Sequence, residues 1–259
     1  MNVFDLPFIP ITDDRGDTRG YHAVRVDTGD PRGQERLVDV IEHGIAAVPY
    51  YHIADGSNAP YERRIEGSMS RVLCRSGLVP MLHRANELLA DQGCELVVYD
   101  AYRPIETQKG LWSWALSKFT RENPDLANAE VVELTSQYSS DPRRFDPADS
   151  STWPTHSTGG SVDVMLQSLG DGAVLDLGAA FDDLGPVAHT DHLERSVICG
   201  EIEPNTSALL NRRLLYYAMT QAGFVNYPAE FWHYDFGNQM YAFNSDEAAP
   251  AWYGYAAAP

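Results

Sequence analysis

The chain has 259 residues, 44% of them hydrophobic and 22% charged, with 19 basic against 37 acidic side chains and a formal net charge of −18. A chain this long can bury a sizeable core without disulfides or a structural metal, and its acidic balance argues against nucleic-acid or anionic-membrane partners, which attract basic surfaces. Cys74, Cys94 and Cys199 are odd in number and show no Cys-x-x-Cys spacing, which argues against a disulfide framework and a cysteine zinc site.

Residues 1–36 are rich in Asp, Gly, Pro and Thr and read as an N-terminal arm, with one strand at 21–26. The chain opens without a basic segment and apolar run, and it holds no transmembrane stretch, so a cytoplasmic protein is expected. A strand is expected around 46–51 and a loop at Gly56-Ser57-Asn58. Residues 78–91 form the first clear helix: Leu78, Leu82, Ala85 and Leu89 share one face, Pro80 suits the first turn and Gly93 the C-terminal cap. A buried strand at 95–99 follows, then helices over 104–119 and 125–138, and a long loop over 139–154. The last helix spans 206–221, with Asn205 or Thr206 as its cap and Gly223 as its stop. Residues 246–259 form an Ala-rich tail with aromatics. The pattern is α+β in one domain, a mostly antiparallel central sheet flanked by helices.

Between the long loop and the last helix lies Thr155-His156-Ser157-Thr158-Gly159-Gly160-Ser161-Val162-Asp163-Val164-Met165-Leu166. It reads as a glycine-bearing loop running into a strand, with Val162, Val164 and Leu166 on the apolar face. His156 in the loop and Asp163 on the opposite strand face can supply two ligands to one metal. A polar turn with both side chains solvated is the competing reading. A second stretch, Glu230-Phe231-Trp232-His233, adds an imidazole and a carboxylate. Two His and one Asp suffice for a catalytic zinc with one open position, which leaves the Glu as general base. In a straight strand, residues three apart face opposite sides, so Glu230 must precede the strand or the chain must bend. Pro228 makes an irregular start natural. Arg103 follows an apolar strand in Asp100-Ala101-Tyr102-Arg103-Pro104 and can reach a shared pocket to stabilise an oxyanion, or else bridge a helix to a surface carboxylate. His189, His192 and Glu194 make a rival metal set, but Gly185-Pro186 before them suggests a loop with an exposed His pair.

The set resembles the VanX-type D-alanyl-D-alanine dipeptidases of the wider zinc DD-peptidase and hedgehog-like fold. That family carries Ser-x-His-x-x-Gly-x-Ala-x-Asp, then Glu-x-x-His, with Tyr-Arg-Pro upstream and Gly-x-x-Phe-Asp after the metal strand. The counterparts here are residues 154–163, Glu230 to His233, Tyr102-Arg103-Pro104 and Gly178-Ala179-Ala180-Phe181-Asp182. The resemblance implies one zinc per chain held by His156, Asp163 and His233, with Glu230 as base and Arg103 as oxyanion partner. It also implies that Asp182 receives the free amine of a small dipeptide, with Tyr50 or Tyr51 lining the amine pocket. Two positions depart from the pattern. Pro154 stands where relatives carry Ser close to the substrate, and proline offers neither hydroxyl nor N–H. Ser161 stands where they carry Ala.

The expected activity is a zinc-dependent dipeptidase acting on D-Ala-D-Ala or a related dipeptide with a free N-terminus. A related zinc carboxypeptidase or amidase on a longer substrate is one alternative, and a non-catalytic metal-binding interaction module is the other. Glu230 and Arg103 favour catalysis, because a structural zinc needs neither.

Overall fold

The strand expected at 95–99 forms as β4 (Cys94–Asp100) near the centre of the sheet on which the site is built. In chain order the strands are β1 (Leu37–Asp39), β2 (Ala46–Ala47), β3 (Leu73–Arg75), β4, β5 (Ser161–Ser168), β6 (Val225–Asn226) and β7 (His233–Asp235). The computed structural model describes residues 5–12, 20–245 and 249–259; the remainder of the arm and tail expectations lies outside these residues. β1 and β3 form an antiparallel pair. The other five strands form one sheet in the order β2-β4-β5-β7-β6, in which β2 runs parallel to β4 and the other pairings are antiparallel. The α+β architecture with a mostly antiparallel sheet is the one read from the pattern of elements.

Helices α1 (Leu78–Ala90) and α5 (Ser207–Gln221) cover one face. Leu78, Leu82, Ala85 and Leu89 are fully buried there, with Leu96 and Val98 of β4, Val164 and Leu166 of β5, and Leu215 and Ala218 of α5. The apolar row of β5 thus turns to this core, and Asp163 is left to the opposite face. On the site side stand α2 (Ile105–Glu122) and α3 (Asn128–Ser136), joined through Ala115, Phe119 and Val131. Two short helices, α4 (His192–Ile198) and α6 (Gln239–Asn244), complete the set. Among the described residues no helix is long and apolar enough to cross a membrane.

Several local expectations change. Residues 21–26 are not a strand: Gly20–Ala23 is a 3-10 turn, and Val26 alone bridges to Ala251 of the tail. The strand at 46–51 stops at Ala47, because Pro49 has no N–H to continue pairing, and Tyr50–His52 becomes a 3-10 turn. Thr206 occupies the cap of α5, but its hydroxyl makes no capping bond. The loop over 139–154 contains two 3-10 turns, Pro142–Arg144 and Ser150–Thr152, each opened by an Asp whose carboxylate accepts a backbone N–H two residues on.

The described parts of the arm and tail pack on the body. Ile9 is buried, and its N–H donates to Glu194 at 2.9 Å. Ala251, Trp252 and Tyr253 are buried, and the Ala256 N–H donates to the Ser157 carbonyl at 2.9 Å, behind the loop that carries His156.

Candidate active site

Sheet register assembles the centre. Asp100 of β4 lies opposite Asp163 of β5, and Asp163 lies opposite His233 of β7, so three neighbouring strands present these side chains in one row. A register shift between Val98 and Asp100 brings Asp100 into that row. His156 arrives from a 3-10 turn, Thr155–Thr158, that begins after Pro154 and ends at Gly159 in the left-handed region, φ 75°. Glycine suits this position because L side chains rarely adopt that left-handed backbone.

His156 Nε2 lies 3.1 Å from His233 Nδ1, which lies 3.0 Å from Asp163 Oδ1. Asp163 Oδ2 is 3.4 Å from His156 Nε2. The three side chains are buried, and their ligand atoms fall within 4.8 Å of one another; no other group of three or more such residues forms among the described residues. The remaining ring nitrogens are engaged from behind. His156 Nδ1 meets the Ala101 carbonyl at 2.7 Å, and His233 Nε2 meets Asp235 Oδ2 at 3.0 Å. Each imidazole therefore turns its other nitrogen into the cluster, as metal-binding histidines do. Burial opposes the Asp163 carboxylate, yet His156 and His233 outweigh it and hold its pKa far below the usual range. Burial likewise opposes charge on His233, but Asp235 and Asp163 push its pKa well up. Two imidazoles and a carboxylate concentrated in this way fit a zinc ion, which takes neutral imidazoles and an ionised carboxylate as ligands.

Glu230 precedes β7, as the spacing required. Its N–H donates to the Tyr227 carbonyl and its carbonyl accepts from the His233 N–H, which makes a turn that brings both side chains to one side. Glu230 Oε2 is 3.8 Å from His233 Nδ1. Burial first, then the charges of Asp163 and Asp182, raises the Glu230 pKa to about 7.

Arg103 is held on every side. Nε donates to Asp100 at 2.7 Å, one terminal nitrogen to Gln108 at 3.0 Å, and the other to the Tyr51 hydroxyl at 3.2 Å and Asp163 at 3.3 Å. The Tyr51 and Tyr61 hydroxyls each donate to Asp182 Oδ2 at 2.8 Å. Asp182 adopts φ 57°, an unusual backbone for a non-glycine residue and one common at functional sites. Burial, reinforced by the Asp163 charge, raises its pKa to about 7.

A single cavity of about 730 Å³ is lined by His156, Asp163, His233, Glu230, Arg103, Asp182, Tyr51 and Pro154. Two expected residues stand outside its lining. Tyr50 turns away, stacking on Tyr99 and donating to the Ala59 carbonyl. Ser161 is fully buried and donates to Asp235 at 2.7 Å, so it sits behind His233. The rival His set is divided: His189 lines the cavity, His192 begins α4, and Glu194 is buried in a two-bond ion pair with Arg213. Glu194 is therefore not part of an exposed loop.

Three contributors were not singled out from sequence. Asp235 had a signal, since it lies two residues beyond His233 and shares its strand face. Asp100 had a weaker one, as a carboxylate three residues before Arg103. Tyr61 had none.

The D-ala-D-ala dipeptidase family model, Peptidase_M15, matches residues 38–249. A D-alanyl-D-alanine dipeptidase of Enterococcus faecium is 27% identical over 211 residues, covering 79% of this chain and 92% of that protein. One from Synechocystis is 27% identical over 279 aligned positions, covering 97% of this chain and 98% of that protein, and one from Streptomyces coelicolor is 29% identical, covering 78% and 91%. Among solved structures, the vancomycin-resistance D,D-pentapeptidase VanY in complex with Zn(II) aligns at TM-score 0.42 and 15% identity, covering 69% of this chain and 80% of that one. VanYB in complex with D-alanine-D-alanine aligns at TM-score 0.40 and 14% identity, covering 69% and 79%. The family model spans most of the chain and the cluster lies within it: this protein belongs to the D-Ala-D-Ala dipeptidase family of peptidases.

Proposed function

We propose that the protein is a zinc-dependent dipeptidase that hydrolyses D-Ala-D-Ala or a closely related dipeptide with a free N-terminus. The observation that carries this reading is one cavity holding the His156–Asp163–His233 cluster, the Glu230 carboxylate and the Asp182 carboxylate with its two tyrosines. Bound to the cluster, zinc would polarise the scissile carbonyl and lower the pKa of a water to about 7.

The chain's own groups then divide the work. Asp182 receives the substrate ammonium, and the Tyr51 and Tyr61 hydroxyls hold its carboxylate in place. Glu230, raised toward neutrality, takes the proton of the attacking water and passes it to the leaving amine as the C–N bond breaks. Arg103 stabilises the oxyanion that forms on the carbonyl oxygen. Its bonds to Asp100 and Gln108 fix the guanidinium before substrate arrives, so little reorganisation is needed. A cytoplasmic setting and a role in cell-wall dipeptide turnover belong to the same proposal. Three free thiols, two of them buried, suit a reducing compartment.

The test is a dipeptide panel of both chiralities, capped and uncapped, with and without added zinc. Zinc-dependent cleavage confined to free dipeptides is expected. Cleavage of longer capped peptides alone would favour the carboxypeptidase or amidase reading, for which a cavity of about 730 Å³ leaves room. Zinc binding without hydrolysis of any peptide would leave a metal-binding module.

A further inference from the structure

One buried polar group on the cavity wall has no role in the reading above. Tyr21, from the arm that precedes the matched residues 38–249, is 4% exposed and lines the cavity, yet its hydroxyl reaches no hydrogen-bond partner. Ser140 lies near it but forms no hydrogen bond with it. Asp235, the nearby anion, is already engaged: Oδ1 accepts from Ser161 and Asn238, and Oδ2 meets His233. A buried hydroxyl without a partner costs free energy, and such groups in a binding cavity are explained when a ligand supplies the missing acceptor.

The arm is built to hold this hydroxyl in place. Gln239 of α6 donates to the Val24 carbonyl at 2.8 Å and the His22 carbonyl at 3.4 Å. The Tyr21 ring lies 3.9 Å from the His22 ring, and the 3-10 turn packs beside Ser150–Thr152, just ahead of Pro154. Burial raises the Tyr21 pKa to about 12, so the group is a donor at any working pH.

Its place relative to Asp182 identifies the ligand. Asp182 is surrounded by Tyr51, Tyr61 and Arg103, on the Asp163 side of the cluster. Tyr21 lies against the His22 ring, and the Asp235 charge that reaches it stands against His233 Nε2, which puts Tyr21 toward the His233 end of the cluster. A dipeptide spans only about 7 Å. With its ammonium on Asp182 and its amide at the cluster, its carboxylate points away from Asp182. Resting on the dipeptidase reading, we propose that Tyr21 donates to the carboxylate of the substrate's C-terminal residue, so that the arm supplies the leaving-residue subsite.

The test compares zinc-loaded wild type with Tyr21→Phe on D-Ala-D-Ala and on its C-terminal amide. Tyr21→Phe should raise KM for the acid about tenfold or more, the scale of a lost hydrogen bond to a charged group. It should change kcat and the KM of the amide little, and it should not lower the melting temperature of the ligand-free protein, because no bond is lost there. Calorimetry of D-Ala-D-Ala binding in a Glu230→Gln background should show the same weakening without turnover. Normal wild-type hydrolysis with unchanged KM in Tyr21→Phe would overturn the role of the arm alone. Equal KM increases for acid and amide, with a lower melting temperature, would make Tyr21 structural and also overturn it. Failure of the wild type to bind or cleave either substrate would overturn the dipeptidase reading and this subsite with it.

Discussion

Asp235 Oδ2 lies 3.0 Å from His233 Nε2, two residues back on the same strand face. Its other oxygen accepts from Ser161 and Asn238, so the carboxylate is fixed before it meets the imidazole. A carboxylate in this position sets the tautomer and orientation of a metal-binding histidine and raises its basicity. Asp235→Ala should therefore weaken zinc binding by about 10- to 100-fold while leaving the fold intact. Competition with a chromophoric chelator measures this, and unchanged affinity would reduce the Asp235–His233 contact to a packing feature.

Metal content tests the cluster itself. Elemental analysis should find about one zinc per chain, by the three-ligand logic of catalytic sites. His156→Ala and His233→Ala should each lose it. Full occupancy in both variants would move the metal elsewhere.

Glu230→Gln keeps the size and polarity of the side chain and removes the proposed base. The variant should retain zinc and lose at least ~10²-fold in kcat, the lower range for acid–base catalysis. Near-normal turnover by a zinc-loaded variant would assign proton transfer to another group.

How far the sequence discloses this site depends on the range of the signal. The period-two row of Val162, Val164 and Leu166 identifies the buried face of β5 and so assigns Asp163 to the other. The three-residue spacing of Glu230 and His233 demands the turn that the chain makes at Tyr227. Asp100 is harder to read, because it joins the row only through the register shift after Val98, which no local pattern marks. Tyr61 reaches the cavity from a segment whose sequence shows no periodicity, and Tyr21 from one that reads as a strand but forms a 3-10 turn; both are placed by tertiary contacts. Tyr50 and Tyr51 are adjacent, yet the 3-10 turn sends one hydroxyl to Ala59 and the other to Asp182. Glu194 has the look of a loop carboxylate until Arg213, nineteen residues on, is seen to pair with it.

Arg103→Ala should lower kcat by about 10²–10³, as when an oxyanion donor is removed. Arg103 also neutralises a crowd of buried acids, Asp100, Asp163 and Asp182, so its loss should lower the melting temperature as well. Steady-state kinetics separates the two roles, because a change in KM alone at full metal occupancy would assign Arg103 to ground-state binding.

On the proposed reading, the charge state of Asp182 sets both stability and substrate capture. Burial foremost, and then the Asp163 charge, raises its pKa from 3.8 to about 7. Between these values the folded chain keeps a proton on Asp182 that the unfolded chain has released. Stability therefore falls as pH rises from about 4 to 7, and the penalty is constant above that. The rise corresponds to at most about 4 kcal/mol, and partial exposure of the side chain reduces it. Asp182→Asn should accordingly melt higher than wild type at pH 8, with the difference vanishing near pH 4, which a pH series of thermal melts measures. In the proposed mechanism the same ionisation creates the partner for a substrate ammonium. KM for a free dipeptide should fall as pH rises through about 7 in the wild type, and in Asp182→Asn it should be high and insensitive to pH. N-acetylation removes the ammonium and leaves a buried carboxylate without its counter-charge, so capped dipeptides should be poor substrates. Asp182→Asn should narrow the gap between free and capped forms. Equal cleavage of both by the wild type would show that Asp182 does not receive an N-terminus and that the cavity admits a longer chain.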